Sequence, residues 1–246
     1  AMRKVLGHGE IISRQFISVR NVHFEPMLEM PDAEGGTETT GRFTMPGDMV
    51  PVVTGDTVKL LSENADGTKT WLGRDTSRGL TLYAGDYVKT ELAGAGMPVE
   101  FYYSRRHQAS MEKLSAKQVM EYAIAYCTAR YGRLPFTPGR PLKIIQNSAF
   151  MFGGGAFSNF SVMGETYFSD MNLNGASSAE VLAHETVHQW WGLSGQCRDD
   201  ENMDWTNEGV TVYTTYRIAK ERFGEEYAMK NYVEKWKEAV DDKKKN

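Results

Sequence analysis

Two histidines four positions apart enclose a glutamate in the run His184-Glu185-Thr186-Val187-His188. On a helix this spacing puts both imidazoles on one face, one turn apart. Two neutral imidazoles so placed can fill two corners of a zinc tetrahedron. Glu185 stands on the rim of the same face, where it can reach an activated water without being a ligand. A hydrolytic zinc site needs a third ligand and an open fourth position. Glu208, in Asn207-Glu208-Gly209, is the expected third ligand. Zinc so held lowers the pKa of water toward ~7, and Glu185 is the residue to take the proton as that water attacks a carbonyl. The bland alternative is two part-buried histidines and an exposed glutamate on an amphipathic helix. The capping signal ahead of the motif and the Asn-Glu-Gly behind it favour the metal. Asp199, Asp200, Glu201 and Asp204 compete for the third position, but are expected to be solvated charges.

These residues need elements to hold them. Ser177-x-x-Glu180 has the form of a capping box and predicts a helix over Val181 to Trp191. Ser115-x-x-Gln118 predicts another through Val119, Ala123 and Tyr126, stopping at Gly132. A third helix is expected from Asn207 to near Gly224, and a fourth from Glu225 to Val240, before a polar tail over 241–246. Tyr122, Tyr126 and Tyr131 read as core, Tyr213 and Tyr216 as packing residues, and Cys127 as a buried small hydrophobe. Leu142-Lys143-Ile144-Ile145 reads as a strand leading into the glycine-rich run Phe152-Gly153-Gly154-Gly155-Ala156-Phe157. That run is expected to pass close to another group; a flexible loop is its plainer reading, and a phosphate cradle is disfavoured because no Lys-Ser/Thr follows. Before about residue 105 the texture is different. Gln15 to Val22, Thr81 to Ala84 and Val99 to Tyr103 read as strands, Asn64 to Thr68 as a hairpin turn and Pro31 to Thr40 as a loop.

Composition bounds the class. The chain has 246 residues, 41% hydrophobic and 24% charged, as in ordinary globular proteins. The net charge of −4, from 28 basic and 32 acidic residues, makes no electrostatic case for nucleic acid. Mean hydropathy is −0.48 and no run approaches the ~18 apolar residues of a membrane span. Cys127 and Cys197 allow one bridge at most and leave the compartment open. His8, His23 and His107 lie far from the motif and read as ordinary surface or core residues. The opening Ala1-Met2-Arg3-Lys4 lacks the apolar core of a signal peptide and has the look of a cleaved tag, so a piece of a longer protein is expected.

The run His184-Glu185-x-x-His188-Gln189-Trp190-Trp191-Gly192, followed by Asn207-Glu208-Gly209, resembles the gluzincin metallopeptidases of the membrane alanyl aminopeptidase and leukotriene-A hydrolase type. Weaker similarity extends back through Met97-Pro98-Val99, Ala84-Gly85-Asp86-Tyr87 and Val50-Pro51-Val52 to about Asp48, and Tyr122 to Phe136 is similar to the family's first catalytic helix. The resemblance implies an α+β chain. An N-terminal antiparallel β segment over 1–105 would be the end of the family's β-saddle domain. Residues 106–246 would be the first part of a thermolysin-like mixed α/β catalytic domain, a half-domain. It also implies Zn2+ held by His184, His188 and Glu208, with Glu185 as base and a peptide as substrate.

Three departures from the family qualify that expectation. Nineteen residues separate His188 from Glu208, where this family usually has about 18 and thermolysin-like relatives use the longer spacing. The counterpart of the family's Gly-Ala-Met-Glu-Asn strand is Gly155-Ala156-Phe157-Ser158-Asn159, which puts Ser158 where a glutamate binds the substrate amine. A hydroxyl does not pair with an ammonium as a carboxylate does, and Glu165 is the nearest carboxylate able to substitute. The family's oxyanion-stabilising tyrosine falls beyond the chain end; losing one such donor typically costs ~10²–10³ in rate. The leading expectation is zinc-dependent peptide hydrolysis, in a parent that is cytoplasmic or membrane-anchored. The alternative is a zinc-containing module that binds a peptide or partner without turnover. A structural zinc domain would need a fourth protein ligand that the sequence does not supply.

Overall fold

Side chains along Thr39–Pro46 alternate between half-buried and exposed, the period of a strand covered on one face. In the computed structural model this strand is β3. The structure describes residues 11–12, 16–19, 38–55, 57–75, 80–92, 97–113, 116–132, 140–147, 153–157, 159–165, 176–192 and 205–245. The other N-terminal strands are β1 (Ile11–Ile12), β2 (Phe16–Val19), β4 (Val50–Val53), β5 (Thr57–Glu63), β6 (Thr68–Asp75) and β7 (Leu82–Gly85). They form two antiparallel sheets, ordered β1-β2-β7-β4 and β3-β6-β5. The expected hairpin at Asn64 to Thr68 joins β5 to β6, closed by Asn64 N–H to the Thr68 carbonyl at 2.8 Å. Thr39 and Thr40, read as loop from sequence, begin β3.

A third sheet carries the site. It comprises β8 (Tyr87–Leu92), β9 (Val99–Ser104), β10 (Leu142–Asn147), β11 (Gly154–Phe157) and β12 (Phe160–Gly164), in the order β11-β12-β10-β9-β8. β10 is parallel to both β9 and β12, whereas β8 and β11 run antiparallel at the edges. All six residues of β10 are buried, as a central strand covered on both faces requires. Its side chains alternate between two cores. Leu142 and Ile144 join Phe101, Met120, Ala123 and Leu182 beneath the helices, while Ile145 joins Val52, Tyr83 and Phe160 on the side of the N-terminal strands. Lys143, on the same face as Ile145, is buried too; its Nζ donates to the carbonyls of Val53 at 3.1 Å and Gly55 at 2.8 Å. β8 and β9 precede residue 105 yet belong to the sheet of β10.

The helices are α1 (Gln108–Lys113), α2 (Ala116–Tyr131), α3 (Ala176–Val187), α4 (Val210–Phe223), α5 (Glu225–Ala228) and α6 (Glu234–Lys245). The chain is thus α+β, with antiparallel sheets on the N-terminal side and helices later. α2 ends as expected at Gly132, whose positive φ of 85° and bond to the Thr128 carbonyl form a helix stop. α3 differs from expectation at both ends. It begins at Ala176, so Ser177 lies inside its first turn, and it ends at Val187 rather than Trp191. The chain tightens there, with Gln189 and Trp190 bonding three residues back to Thr186 and Val187, and turns out at Gly192 with φ 85°. α4 is entered through a wide turn, Trp205–Gly209, and ends at Gly224. α5 and α6 are joined by a second wide turn, Met229–Val233, and helix runs to Lys245 rather than stopping at Val240. Lysine is a good helix former, and Asp241 pairs with Lys244 one turn on, so the run read as a tail stays helical.

Tyr126 and Cys127 are buried on α2 as expected, and burial pushes the Cys127 thiol up to about 12. Tyr131 is not core. It is partly exposed and packs edge-on against Trp191, with ring centroids 4.9 Å apart. Tyr213 is half exposed, while Tyr216 packs between Tyr232 and Trp236.

Candidate metal centre

The face of α3 that carries His184 meets the wide turn that carries Glu208. His184 Nε2 and His188 Nε2 are 3.0 Å apart. Glu208 Oε2 lies 3.3 Å from His184 Nε2 and 3.5 Å from His188 Nε2. Three donor atoms therefore converge on one point, and they are one group of potential ligands among the described residues. The spacing has a simple geometric meaning. Ligands at the 2.0–2.1 Å typical of zinc bonds stand about 3.3–3.4 Å apart at the corners of a tetrahedron. The observed triangle fits that edge, so the residues present fit the ion.

The tautomer of His188 also fits. Its Nδ1 is 3.3 Å from the Trp191 carbonyl and 3.2 Å from Thr211 Oγ1. A carbonyl only accepts, so Nδ1 carries the proton and Nε2 presents its lone pair to the convergence point. Fixing a ligand histidine through its other nitrogen is how outer partners orient metal sites. Thr211 is fully buried and lies one turn after Glu208, so one helix entry supplies both the Glu208 carboxylate and a group that orients His188. Burial and then the neighbouring His188 lower the His184 pKa to about 4, against an opposing contribution from Glu208. The ring is thus neutral at pH 7, the form that binds a metal.

Glu185 is buried beside this point. Burial, then the Glu208 charge, pushes its carboxyl up to about 8. It faces the edge strand β11. A Cβ added to Gly154 would stand 2.7 Å from Glu185 Cγ and 2.8 Å from Oε1. The expectation that the glycine-rich run passes close to something is met at Gly154, one residue before the stretch 155–159 read as substrate-binding. Its first three residues lie in β11. Gly155, Ala156 and Phe157 are half-buried strand residues, Asn159 is buried with a positive φ of 57°, and Ser158 lies outside the described residues. Gly164 N–H bonds to the Gly153 carbonyl. By antiparallel alternation, Gly155 and Phe157 then face β12, while Gly154 and Ala156 turn their N–H and C=O groups to the open edge.

Glu165 does not stand in for Ser158. It follows the Gly164 end of β12, four residues and roughly 13 Å of strand from the turn. Its carboxylate is already paired with Arg106 and lies 3.5 Å from His107 Nε2. Asp199, Asp200, Glu201, Asp204, Cys197, His8, His23 and Ser115 lie outside the described residues.

The two halves of the site are braced from outside. Trp190 Nε1 donates to the Gly132 carbonyl at 2.9 Å, tying the end of α3 to the end of α2. Gly192 meets Asn207, and a Cβ there would stand 1.8 Å from Asn207 Oδ1 and 3.2 Å from its Cα. The turn leaving α3 thus presses on the residue next to Glu208. Gly192→Ala combines a strained φ with that overlap and is expected to destabilise the chain by about 1–3 kcal/mol. Urea denaturation read by circular dichroism checks it; a change below about 0.5 kcal/mol would mean that the contact is slack. Sequence reasoning passed over Gly154, Gln189, Gly192, Asn207 and Thr211 as individual residues, because each acts through a partner distant in sequence.

Comparison with known proteins gives three findings. No family profile matches the chain. Over 62 residues it is 42% identical to leukotriene A-4 hydrolase of Xenopus laevis, a match covering 25% of this chain and 10% of that protein. Its fold is similar to that of aminopeptidase A of Legionella pneumophila, solved in complex with aspartic acid. The TM-score is 0.58 and the identity 19%, over 77% of this chain and 24% of the other. The matches thus span about a tenth of the curated relative and about a quarter of the solved one.

Proposed function

We propose that this chain is part of a gluzincin metallopeptidase related to these two proteins, and that it hydrolyses peptide bonds with a zinc ion held by His184, His188 and Glu208. The observation that carries the reading is the triangle of 3.0, 3.3 and 3.5 Å among the three donor atoms. The two relatives support it, since one is named a hydrolase and the other an aminopeptidase. The division into 1–105 and 106–246, as the end of a β-saddle and the front of a catalytic domain, belongs to the same proposal.

Bound at the triangle, zinc supplies Lewis acidity that activates water and polarises a carbonyl. The remaining work falls to the chain. An extended peptide pairs with the open edge of β11 through Gly154 and Ala156, adding a strand to the sheet. That edge presses against Glu185, so a substrate held there lies beside its carboxylate. In its ionised form Glu185 accepts the proton from the attacking water at a carboxylate oxygen and returns it to the departing amine nitrogen. Atoms balance: water adds across the C–N bond, giving a carboxylic acid and an amine. Ser158 in place of a carboxylate weakens the hold on a free α-amine, so aminopeptidase selectivity is expected to be lower than in relatives that carry the glutamate. Among the described residues no helix is long and apolar enough to cross a membrane, and binding of peptides needs none.

Metal content by plasma mass spectrometry on the purified full chain, beside peptide hydrolysis before and after chelation, tests the proposal. One zinc per chain, with hydrolysis abolished by chelator and restored by zinc, is the expected result. A chain that takes up no zinc overturns it. Stoichiometric zinc without turnover would favour the binding module instead.

A further inference from the structure

Gln189 follows the second histidine of the motif and is fully buried. Both ends of its amide are used. Nε2 donates to the Phe157 carbonyl at 3.0 Å, and Oε1 accepts from the Asn159 N–H at 2.9 Å. Those two backbone groups lie where β11 gives way to β12, with Phe157 paired to Phe160. Asn159 holds the left-handed conformation there, with φ 57°. One side chain from the metal-bearing segment therefore grips the hairpin on both sides of its turn.

The helix places these contacts in register. His184 and His188 are one turn apart and face the metal point. Glu185 and Gln189 are likewise one turn apart, on the neighbouring face, and both touch the hairpin: Glu185 against Gly154, Gln189 at Phe157 and Asn159. A further bond, from Ser161 Oγ to the Glu185 carbonyl at 3.3 Å, ties β12 to the same turn. The separation between the metal point and the strand edge is thus set by adjacent residues of α3 and the tight turn that closes it.

We infer that Gln189 is a positioning residue, which fixes the hairpin tip to the metal helix and so sets where a peptide laid on β11 stands relative to the metal. The inference rests on the peptidase reading for its functional half and on the two hydrogen bonds for its structural half. It differs from a general core role in one respect. Its removal should loosen the tip and weaken peptide binding while leaving the metal ligands and the remaining core in place.

The test compares wild type, Gln189→Met and Gln189→Glu as full chains. Zinc content, amide hydrogen exchange and affinity for tetra-alanine are measured, the last in a Glu185→Gln background to suppress turnover. Methionine keeps the volume and loses both bonds. Zinc is expected to stay at one per chain in Gln189→Met. Exchange at the Asn159 amide should rise roughly 10- to 100-fold, with α2 and β10 unchanged, and tetra-alanine affinity should fall about 10-fold or more. Gln189→Glu keeps an acceptor for Asn159 but sets a carboxylate against the Phe157 carbonyl. It should preserve Asn159 protection and still weaken the peptide. Unchanged exchange at Asn159 overturns the inference. So does acceleration spread evenly over the chain, which would make Gln189 a core residue only, and so does loss of zinc. If the tip loosens as expected but wild type binds neither zinc nor peptide, the peptidase reading falls and the clamp stands.

Discussion

Replacing Glu185 by glutamine is expected to slow peptide hydrolysis by about 10²–10⁴-fold while the zinc content stays at one per chain. The substitution is close to isosteric at a buried position, so packing against β11 is retained. What is lost is the ability to take up a proton. Single-turnover kinetics beside metal analysis separate the two effects, and an undiminished rate would remove Glu185 from proton transfer. The strand opposite offers a second way to the same end. A methyl group at Gly154 would stand 2.7 Å from Glu185 Cγ, so Gly154→Ala must push the side chain from its place. Misplacing a catalytic group by about an ångström can cost up to about 10² in rate. Gly154→Ala should therefore copy Glu185→Gln in kind and fall short of it in size, with zinc again retained.

With Glu208 as the proposed third ligand, its removal bears on metal binding itself. Loss of an outer partner of a metal ligand typically weakens binding about 10–100-fold, and loss of a ligand should exceed that. Glu208→Ala is expected to lower zinc affinity by more than about 100-fold in competition with a chromophoric chelator. The folded chain should also lose the part of its thermal stability that bound zinc confers by mass action. Glu201→Ala, a change at one of the acidic competitors, should leave both unchanged. Zinc retained in Glu208→Ala would move the third ligand elsewhere, and the fit of the triangle to a tetrahedron would lose its meaning.

Local features were legible in the sequence because local rules make them. The histidine pair follows from helical period, the alternation of Val99 to Tyr103 from the pleat, and the stops at Gly132 and Gly224 from positive φ. Helix ends were less so. Ser177 has the chemistry of a cap but sits within the first turn of α3, and the motif helix closes before His188 because the following bonds tighten toward Gly192. What the sequence could not display is partnership between distant segments. Nothing local says that β10 runs parallel between β9 and β12, that Gly154 receives Glu185, or that Gln189 spans the tip of a hairpin some thirty residues earlier. The glycine run announced a close approach without naming what approached. Glu165 could be read as a substitute carboxylate only until the register put it at the far end of the hairpin, beside Arg106.

The buried ammonium of Lys143 bears on how this chain comes apart. It belongs to the central strand of one sheet, and the carbonyls it satisfies belong to β4 and the residues just after it, in another. A small separation of the two sheets would stretch these two bonds before water could enter to replace them. Such half-open states are high in free energy, whereas full opening hydrates the charge. Lys143 therefore disfavours gradual fraying between the sheet of β4 and that of β10 and favours their opening together.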